Sequence, residues 1–489
     1  MLMMGLGESR NSGRDAGQLI KIAALFAIPF ALAFFTYRDF LGLWFWTDDF
    51  VWLEAAANPS LGDSIREAVA FPQGSTPYWR PLIDFHFFSM YRVFGLSGTP
   101  YHVFNVTLHA ASAAMLGLLT VRLTRSWAMA GLGAALFAVS PTYATMVPWV
   151  SGITGIYAAF FGVLTVLLYV DFLERSRSYR WLALPIITFA ATLFAKEEAV
   201  VLPAILVMIA AALSRERRID LQVAGRSMLP FVGVWFAFMV PQLLFVVGGD
   251  ESPGHDIGWH AAQRLVDSMV WMSLPWPARL AGWIGPASWA AFSTFTLVAA
   301  VSALRRRWLL PGAYAATVTL LLPSSFFTGR LSEHWTYLAS VPWALFVAAC
   351  FAYAFDLFAR VNRSLGLAVS VVVSTLVIVV LAGRTIDTHV WVPPLAKEYQ
   401  EIERTLEAGC PDAALQSSIY IVELPISGPS YAIPALVRTR YSPAILYQLT
   451  RADLSEASLP ETGGCSLYWT EREGYQAVPG PPPEAIRLQ

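Results

Sequence analysis

Two adjacent carboxylates, Asp48 and Asp49, stand in an aromatic run, LGLWFWTDDFVWLEAA (41–56). A carboxylate in an aromatic, partly dehydrated setting has a raised pKa and can take a proton from a nucleophile. The pair equally suits a helix start. Thr47 or Asp48 can cap a helix beginning at Phe50, and acids favour that helix end. One acid can cap while the other acts as a base.

Four further clusters carry polar residues inside apolar sequence. In TPYWRPLIDFHFFSMYR (76–92), Arg80 stands between Trp79 and Pro81, close to Tyr78. Pro81 restricts the backbone at Arg80, and an Arg fixed at headgroup level suits a phosphate through bidentate hydrogen bonds. The plainer reading is an interfacial anchor. In YHVFNVTLHA (101–110), His102, Asn105 and His109 fall on one helical face. They either bond neighbouring helices or line a pocket, because polar groups in a span avoid lipid. In FAKEEAVVLPA (194–204), Lys196, Glu197 and Glu198 sit between two short apolar runs. A hairpin turn can expose all three charges; alternatively Lys196 faces a phosphate and a glutamate orients it. In FFTGRLSEHWTYLAS (326–340), Arg330, Glu333, His334 and Tyr337 are expected on one face near a membrane end. Arg330 is a phosphate candidate there, with Glu333 or His334 to orient it, against a capped helix start with aromatic anchors. No H-x-x-x-H or C-x-x-C spacing points to a metal.

The elements that must position these residues are membrane helices. The chain has 489 residues, 56% hydrophobic and 14% charged, with a mean hydropathy of +0.53. That is too little charge for a soluble surface of this size. Apolar runs of spanning length recur at about 19–36, 102–122, 127–146, 152–173, 181–195, 199–213, 228–247, 285–303, 309–323, 335–357 and 365–383. The first is read as a retained helix, since no small-residue cleavage site follows it. Residues 81–95 look interfacial. With the N-terminus in the cytoplasm, the basic loops at 122–126, 174–180, 214–226, 305–307 and 359–364 all fall on that side. The opposite face receives residues 38–100, the 140–152 loop, Lys196–Glu198, 248–284, 324–335 and the tail from Arg384 onward. All the polar clusters thus gather at outer ends. Neither the net charge of −1 nor any basic block suggests nucleic acid.

The tail reads as a smaller unit, with a helix over 394–409 and strands over 418–425 and 465–471. Cys410 and Cys465 can pair if it faces an oxidising compartment. Cys350 reads as a small core residue. The expected layout is a membrane domain over 1–383, with an outer catalytic loop at 38–100, and a soluble outer domain over 384–489.

The ordered set of motifs resembles a known family. The acidic pair, YWRPL, YHVFNVTLHA, PWVSGITG (148–155), KEEAVVLP (196–203) and SEHWTYLAS (332–340) look like the membrane half of the GT-C glycosyltransferases. Mannosyltransferases with tetratricopeptide repeats and their bacterial relatives are the nearest subgroup, similar also to protein O-mannosyltransferases and lipid A aminoarabinose transferases. The likeness covers roughly residues 38–340. With the apolar runs and the strand-containing tail, the expected fold is an all-α polytopic membrane protein, GT-C-like, with about 11 transmembrane helices and a small α/β C-terminal domain on the outer face. The likeness implies inverting transfer of a sugar from a polyprenyl-phosphate donor to a protein, lipid or surface glycan outside an inner (plasma) membrane. Asp48 and Asp49 match the family's acidic pair, with Asp49 slightly favoured as the base. Arg80, Lys196 and Arg330 become donor-phosphate ligands, and Tyr78, His102, Glu197, Glu333 and His334 pocket residues. Cationic side chains can stabilise the leaving phosphate, so no cofactor is required; a divalent metal is compatible but not indicated. The sequence departs from the family in reading Ala-Lys-Glu-Glu where Ser-Lys-Glu is common. Its tail also lacks the ~34-residue tetratricopeptide period, which leaves the acceptor class open. Rival readings are a transporter or flippase of lipid-linked sugars, an oligosaccharide ligase using a pyrophosphate-linked donor, and a non-catalytic accessory of glycan assembly.

Overall fold

The computed structural model describes residues 12–57, 79–175, 178–217, 219–248, 258–273, 284–327, 333–388, 390–411, 418–422, 424–426, 431–441, 445–449, 464–470 and 473–483, with isolated residues at 60–66 and Pro429. The apolar helices are α1 (Ser12–Tyr37), α4 (Gly98–Thr124), α5 (Trp127–Val139), α6 (Ile153–Arg175), α7 (Ala183–Ala195), α8 (Leu202–Arg217), α9 (Leu221–Gly248), α11 (Ile284–Leu304), α12 (Leu309–Ser325), α13 (Tyr337–Ala359) and α14 (Arg363–Thr388). Each coincides with one of the apolar runs read from the sequence. Among the described residues, seven helices are long and apolar enough to cross a membrane, and four more apolar ones are shorter. The burial pattern is that of a membrane protein. Polar Asn105, His109, Thr165 and Thr192 are inside, whereas Leu367, Val372, Leu376 and Val379 of α14 face outward. In lipid, packing and internal hydrogen bonds rather than water exclusion hold helices together. The chain is a multi-pass membrane protein.

Three further short helices are α2 (Asp49–Ala57), α3 (Pro81–Phe94), which packs on α7, and α10 (Trp259–Ser273), which packs on α11 and α12. Helix α3 starts with Pro81 at its first turn and Arg80 at its N-cap, where a missing N–H costs nothing. Helix α4 is central, packed on α1, α5 and α6. Its first residue, Gly98, admits the loop before α2: a Cβ there would lie 2.5 Å from the Leu43 carbonyl oxygen.

The tail adds α15 (Val392–Gly409), α16 (Ala432–Tyr441) and a four-stranded sheet of order β2-β1-β3-β4. Strands β1 (Ser418–Val422) and β2 (Ile445–Leu449) are parallel, joined through α16, as a parallel pair requires a crossover. Strand β3 (Cys465–Thr470) pairs parallel with β1 and antiparallel with β4 (Gly474–Pro479). A Cys410–Cys465 disulfide ties the end of α15 to β3. Strands β1 and β3 lie within the two stretches read as strands. Helix α16, β2 and β4 were not expected from the sequence. Nor does the tail stand apart, because α16 packs on α2, the helix that the acidic pair begins.

Candidate active site

The acidic pair sits on a strained turn. Thr47 has φ of +54°, a region that residues with a branched Cβ rarely enter. Asp49 then opens α2 and turns back, accepting from the Trp46 backbone N–H at 3.1 Å. The contact closes the 46–49 turn and caps none of the helix's own N–H groups; the N-cap position, one residue before the helix, is Asp48. Its other oxygen accepts from the Ser151 backbone N–H at 2.7 Å and from Ser151 Oγ at 2.6 Å. Asp49 has no exposed surface. Burial pushes its carboxyl up to about 7, against the lowering pull of these three donors.

Asp48 faces the other way. It is half-buried, and Tyr431 of the tail donates its hydroxyl to Asp48 Oδ1. Burial also raises the Asp48 carboxyl, opposed by the Tyr431 hydrogen bond and by the charge of Arg80. Among the described residues Oδ2 accepts no hydrogen bond. Of the two acids, Asp48 is therefore the one whose carboxylate a second molecule can reach.

Ser151 is held by its own loop. Gly152 permits a tight reversal, since a Cβ there would lie 2.0 Å from the Met146 carbonyl oxygen. Asn105 Nδ2 lies 3.4, 2.8 and 3.3 Å from the carbonyls of Val147, Trp149 and Val150. His102 lies between two carbonyls, Pro148 at 2.8 Å and Leu43 at 3.1 Å, and stacks on Trp46. It joins the loop before α2 to the loop before α6. His109 reaches Tyr337 Oη at 2.7 Å and the Ala138 carbonyl at 3.2 Å. The polar face of α4 thus acts as the frame of the site. His102 is part of that frame rather than of an open pocket.

The charged cluster at 194–204 does not form an exposed hairpin. Arg80 binds Glu197 bidentately, Nε to Oε2 at 3.0 Å and Nη2 to Oε1 at 2.6 Å. Such forked pairs are strong and geometrically specific. Lys196 is buried; its Nζ lies 3.0 Å from Glu198 Oε1 and donates to the His334 carbonyl at 3.0 Å. Removing one member would leave an uncompensated buried charge, which is costly. His334 is held neutral: burial, then the charges of Lys196 and Arg80, lower its pKa to about 3. Glu333 opens a short 3-10 turn, Glu333–Trp335, that precedes α13. The single helical face expected for 330–337 is therefore interrupted. Tyr78 and Arg330 lie outside the described residues.

Below this cluster an apolar groove lies between α4, α6, α7, α8, α12 and α13. Ala199, Leu338 and Thr192 line its upper end, next to Lys196 and Glu198; Leu213, Trp308 and Leu309 line its lower end.

No family model and no curated protein matches the sequence. Solved structures do match. The archaeal oligosaccharyltransferase AglB from Archaeoglobus fulgidus, in complex with an inhibitory peptide and a dolichol-phosphate, gives a TM-score of 0.52 at 11% identity. The match covers 87% of this chain and 64% of AglB. The apo crystal structure of the Archaeoglobus fulgidus oligosaccharyltransferase gives 0.51 with the same identity and coverage. The chain has a GT-C-like fold. It spans under two thirds of the length of these neighbours.

Within the GT-C-like fold, Asp48, Arg80, Lys196, Glu197 and His334 come together at one end of the bundle. Among the described residues, no three His, Cys, Asp or Glu side chains group as a metal shell. The sequence reading offered a glutamate beside Lys196 without choosing Glu198, and it did not identify Ser151 or Tyr431. Ser151 sits in the PWVSGITG motif, so its place in the ordered set was its signal. Tyr431 follows Gly428 and Pro429 in the sequence, 383 residues from its partner, and no spacing rule connects the two.

Proposed function

We propose that the chain is an inverting membrane glycosyltransferase. It would move a sugar from a polyprenyl-phosphate donor to a hydroxyl or amide acceptor at the extracytoplasmic face. One observation carries this reading. A half-buried carboxylate, Asp48, lies within range of a forked cation, Arg80, whose partner Glu197 stands in the chain between Thr192 and Ala199, which line a groove almost wholly apolar. That arrangement matches an amphiphile with an anionic head and a long apolar tail. The neighbouring oligosaccharyltransferase was solved with a dolichol-phosphate, which supports the same donor chemistry here.

In the proposed step the acceptor attacks the anomeric carbon opposite the phosphate. Asp48 takes the acceptor proton as the new bond to that carbon forms. The bond from the anomeric carbon to the phosphate oxygen breaks, and the oxygen keeps the electron pair. Arg80 exchanges part of its contact with Glu197 for the leaving phosphate, whose charge grows as the bond breaks. Arg330, three residues before Glu333, is the second phosphate candidate. Lys196 is assigned a supporting role, since Glu198 and the His334 carbonyl already hold its ammonium. Asp49 orients the turn that presents Asp48. The eleven apolar helices are read as eleven crossings, with the N-terminus cytoplasmic and the tail outside. The Cys410–Cys465 disulfide supports an oxidising compartment for the tail.

The test is transfer by purified protein from a panel of polyprenyl-phosphate and polyprenyl-pyrophosphate sugars. Asp48→Asn is expected to lower kcat by about 10²–10⁴-fold while leaving donor KM within a few-fold. EDTA treatment is expected to leave the wild-type rate unchanged. Full activity in a correctly folded Asp48→Asn protein defeats the base assignment. Lipid-linked sugar crossing vesicles without any transfer defeats the enzyme reading in favour of a flippase.

A further inference from the structure

The geometry points to Tyr431 as a positioning residue for Asp48, supplied to the membrane site by the C-terminal unit. This inference rests on the proposed role of Asp48, and it concerns how that carboxylate is held. The Tyr431 hydroxyl donates to Asp48 Oδ1, which leaves Oδ2 to take the acceptor proton in the proposed step. The donor is rigidly mounted. Tyr431 stands immediately before α16, which packs on α2. Arg438 on α16 lies 3.5 Å from Glu54 on α2. Phe50 of α2 packs on Tyr399 of α15 with ring centroids 5.4 Å apart. The disulfide joins α15 to the sheet that α16 crosses. Tyr431 itself is 53% exposed, so its ring contributes little to the core and packing alone does not require a tyrosine there.

A hydroxyl donor favours the ionised form of a carboxylate, which is the form a base needs. It works against burial, which favours the neutral acid. The charged and titratable groups facing Asp48 are Arg80 from the N-cap of α3, the adjacent Asp49, Tyr399 from α15 and Tyr431. Arg80 favours ionisation as well, and Asp49 opposes it when charged. Removing the Tyr431 hydroxyl takes away one of two stabilising partners, so the Asp48 pKa must rise.

Tyr431→Phe keeps the ring and deletes the donor. The acidic limb of its kcat profile is expected to move up by about one pH unit, with donor KM unchanged. A limb and plateau identical to wild type would overturn the proposal, as would a change confined to KM. A second readout needs no activity. In protein labelled at the tyrosine Cζ carbon, the Tyr431 signal is assigned by its absence in Tyr431→Phe. It is expected to titrate above the ordinary tyrosine range in wild type and to move back toward that range in Asp48→Asn. If Asp48→Asn leaves that titration unchanged, the hydrogen bond is absent and the proposal falls whatever the enzymology. If the titration behaves as expected but no donor supports transfer, the positioning stands and the glycosyltransferase reading alone fails.

Discussion

The carboxyl of Asp49 titrates near 7 inside the protein because burial outweighs three converging donors. Its ordinary value is 3.8. The folded state therefore binds a proton that the unfolded chain has already released above 3.8. The associated stability is complete below that pH and is lost as pH rises through about 7. The melting temperature of wild type is expected to fall between pH 5 and pH 8 by more than that of Asp49→Asn, which cannot ionise. Parallel melting curves across that window would show that Asp49 is not the group responsible. At acid pH the Asp49→Asn substitution is expected to cost about 1–3 kcal/mol, since the amide N–H that replaces one oxygen cannot accept from Trp46 or Ser151. The sequence made the acid pair conspicuous, through two charges in a run of aromatics. It could not divide their roles, because the division depends on Ser151, 102 residues away, and Tyr431, 383 residues away.

At the scale of elements, the site is an arrangement of loops fastened to α4. Its His102, Asn105 and His109 spacing was legible as one polar face, and bonding between elements was one of its two readings. What they bond was not legible, because the carbonyls of 147–150 belong to an irregular segment whose path no periodicity encodes. Asn105 serves three of those carbonyls from one amide group. Asn105→Ala leaves them buried without that donor, at a cost of about 1–3 kcal/mol. The expected outcome is a lower melting temperature together with a lower kcat, because the same loop carries Ser151 and so holds Asp49. Stability lost with kcat intact would separate the loop from the site. The apolar helices, by contrast, were readable nearly end to end, since length and hydropathy alone specify a segment that lipid must solvate.

Over the whole molecule, the groove is a feature that only the assembled bundle creates, and its lining residues Thr192 and Ala199 flank Lys196–Glu198 in the chain. The groove is walled by six helices from α4 to α13, and their apolar residues read in sequence as ordinary span residues. The tail's place over α2 was equally hidden, because no sequence pattern encodes where α16 docks. If the groove holds the donor's isoprenoid chain, narrowing it must penalise long carriers and spare short ones. Gly162 is a suitable point: a Cβ there would meet Thr192 and Leu338 only at ordinary contact distances, 3.6 and 3.9 Å, so a methyl fits and a larger side chain must enter the groove. Gly162→Leu is expected to raise KM for a long-chain polyprenyl-phosphate sugar about tenfold, the equivalent of about 1.4 kcal/mol, with Gly162→Ala near wild type. A carrier too short to pass Gly162 is expected to bind the Leu variant and wild type alike. An equal loss for short and long carriers would mean that the substitution disturbs the bundle rather than the chain site, and the groove would then need another occupant.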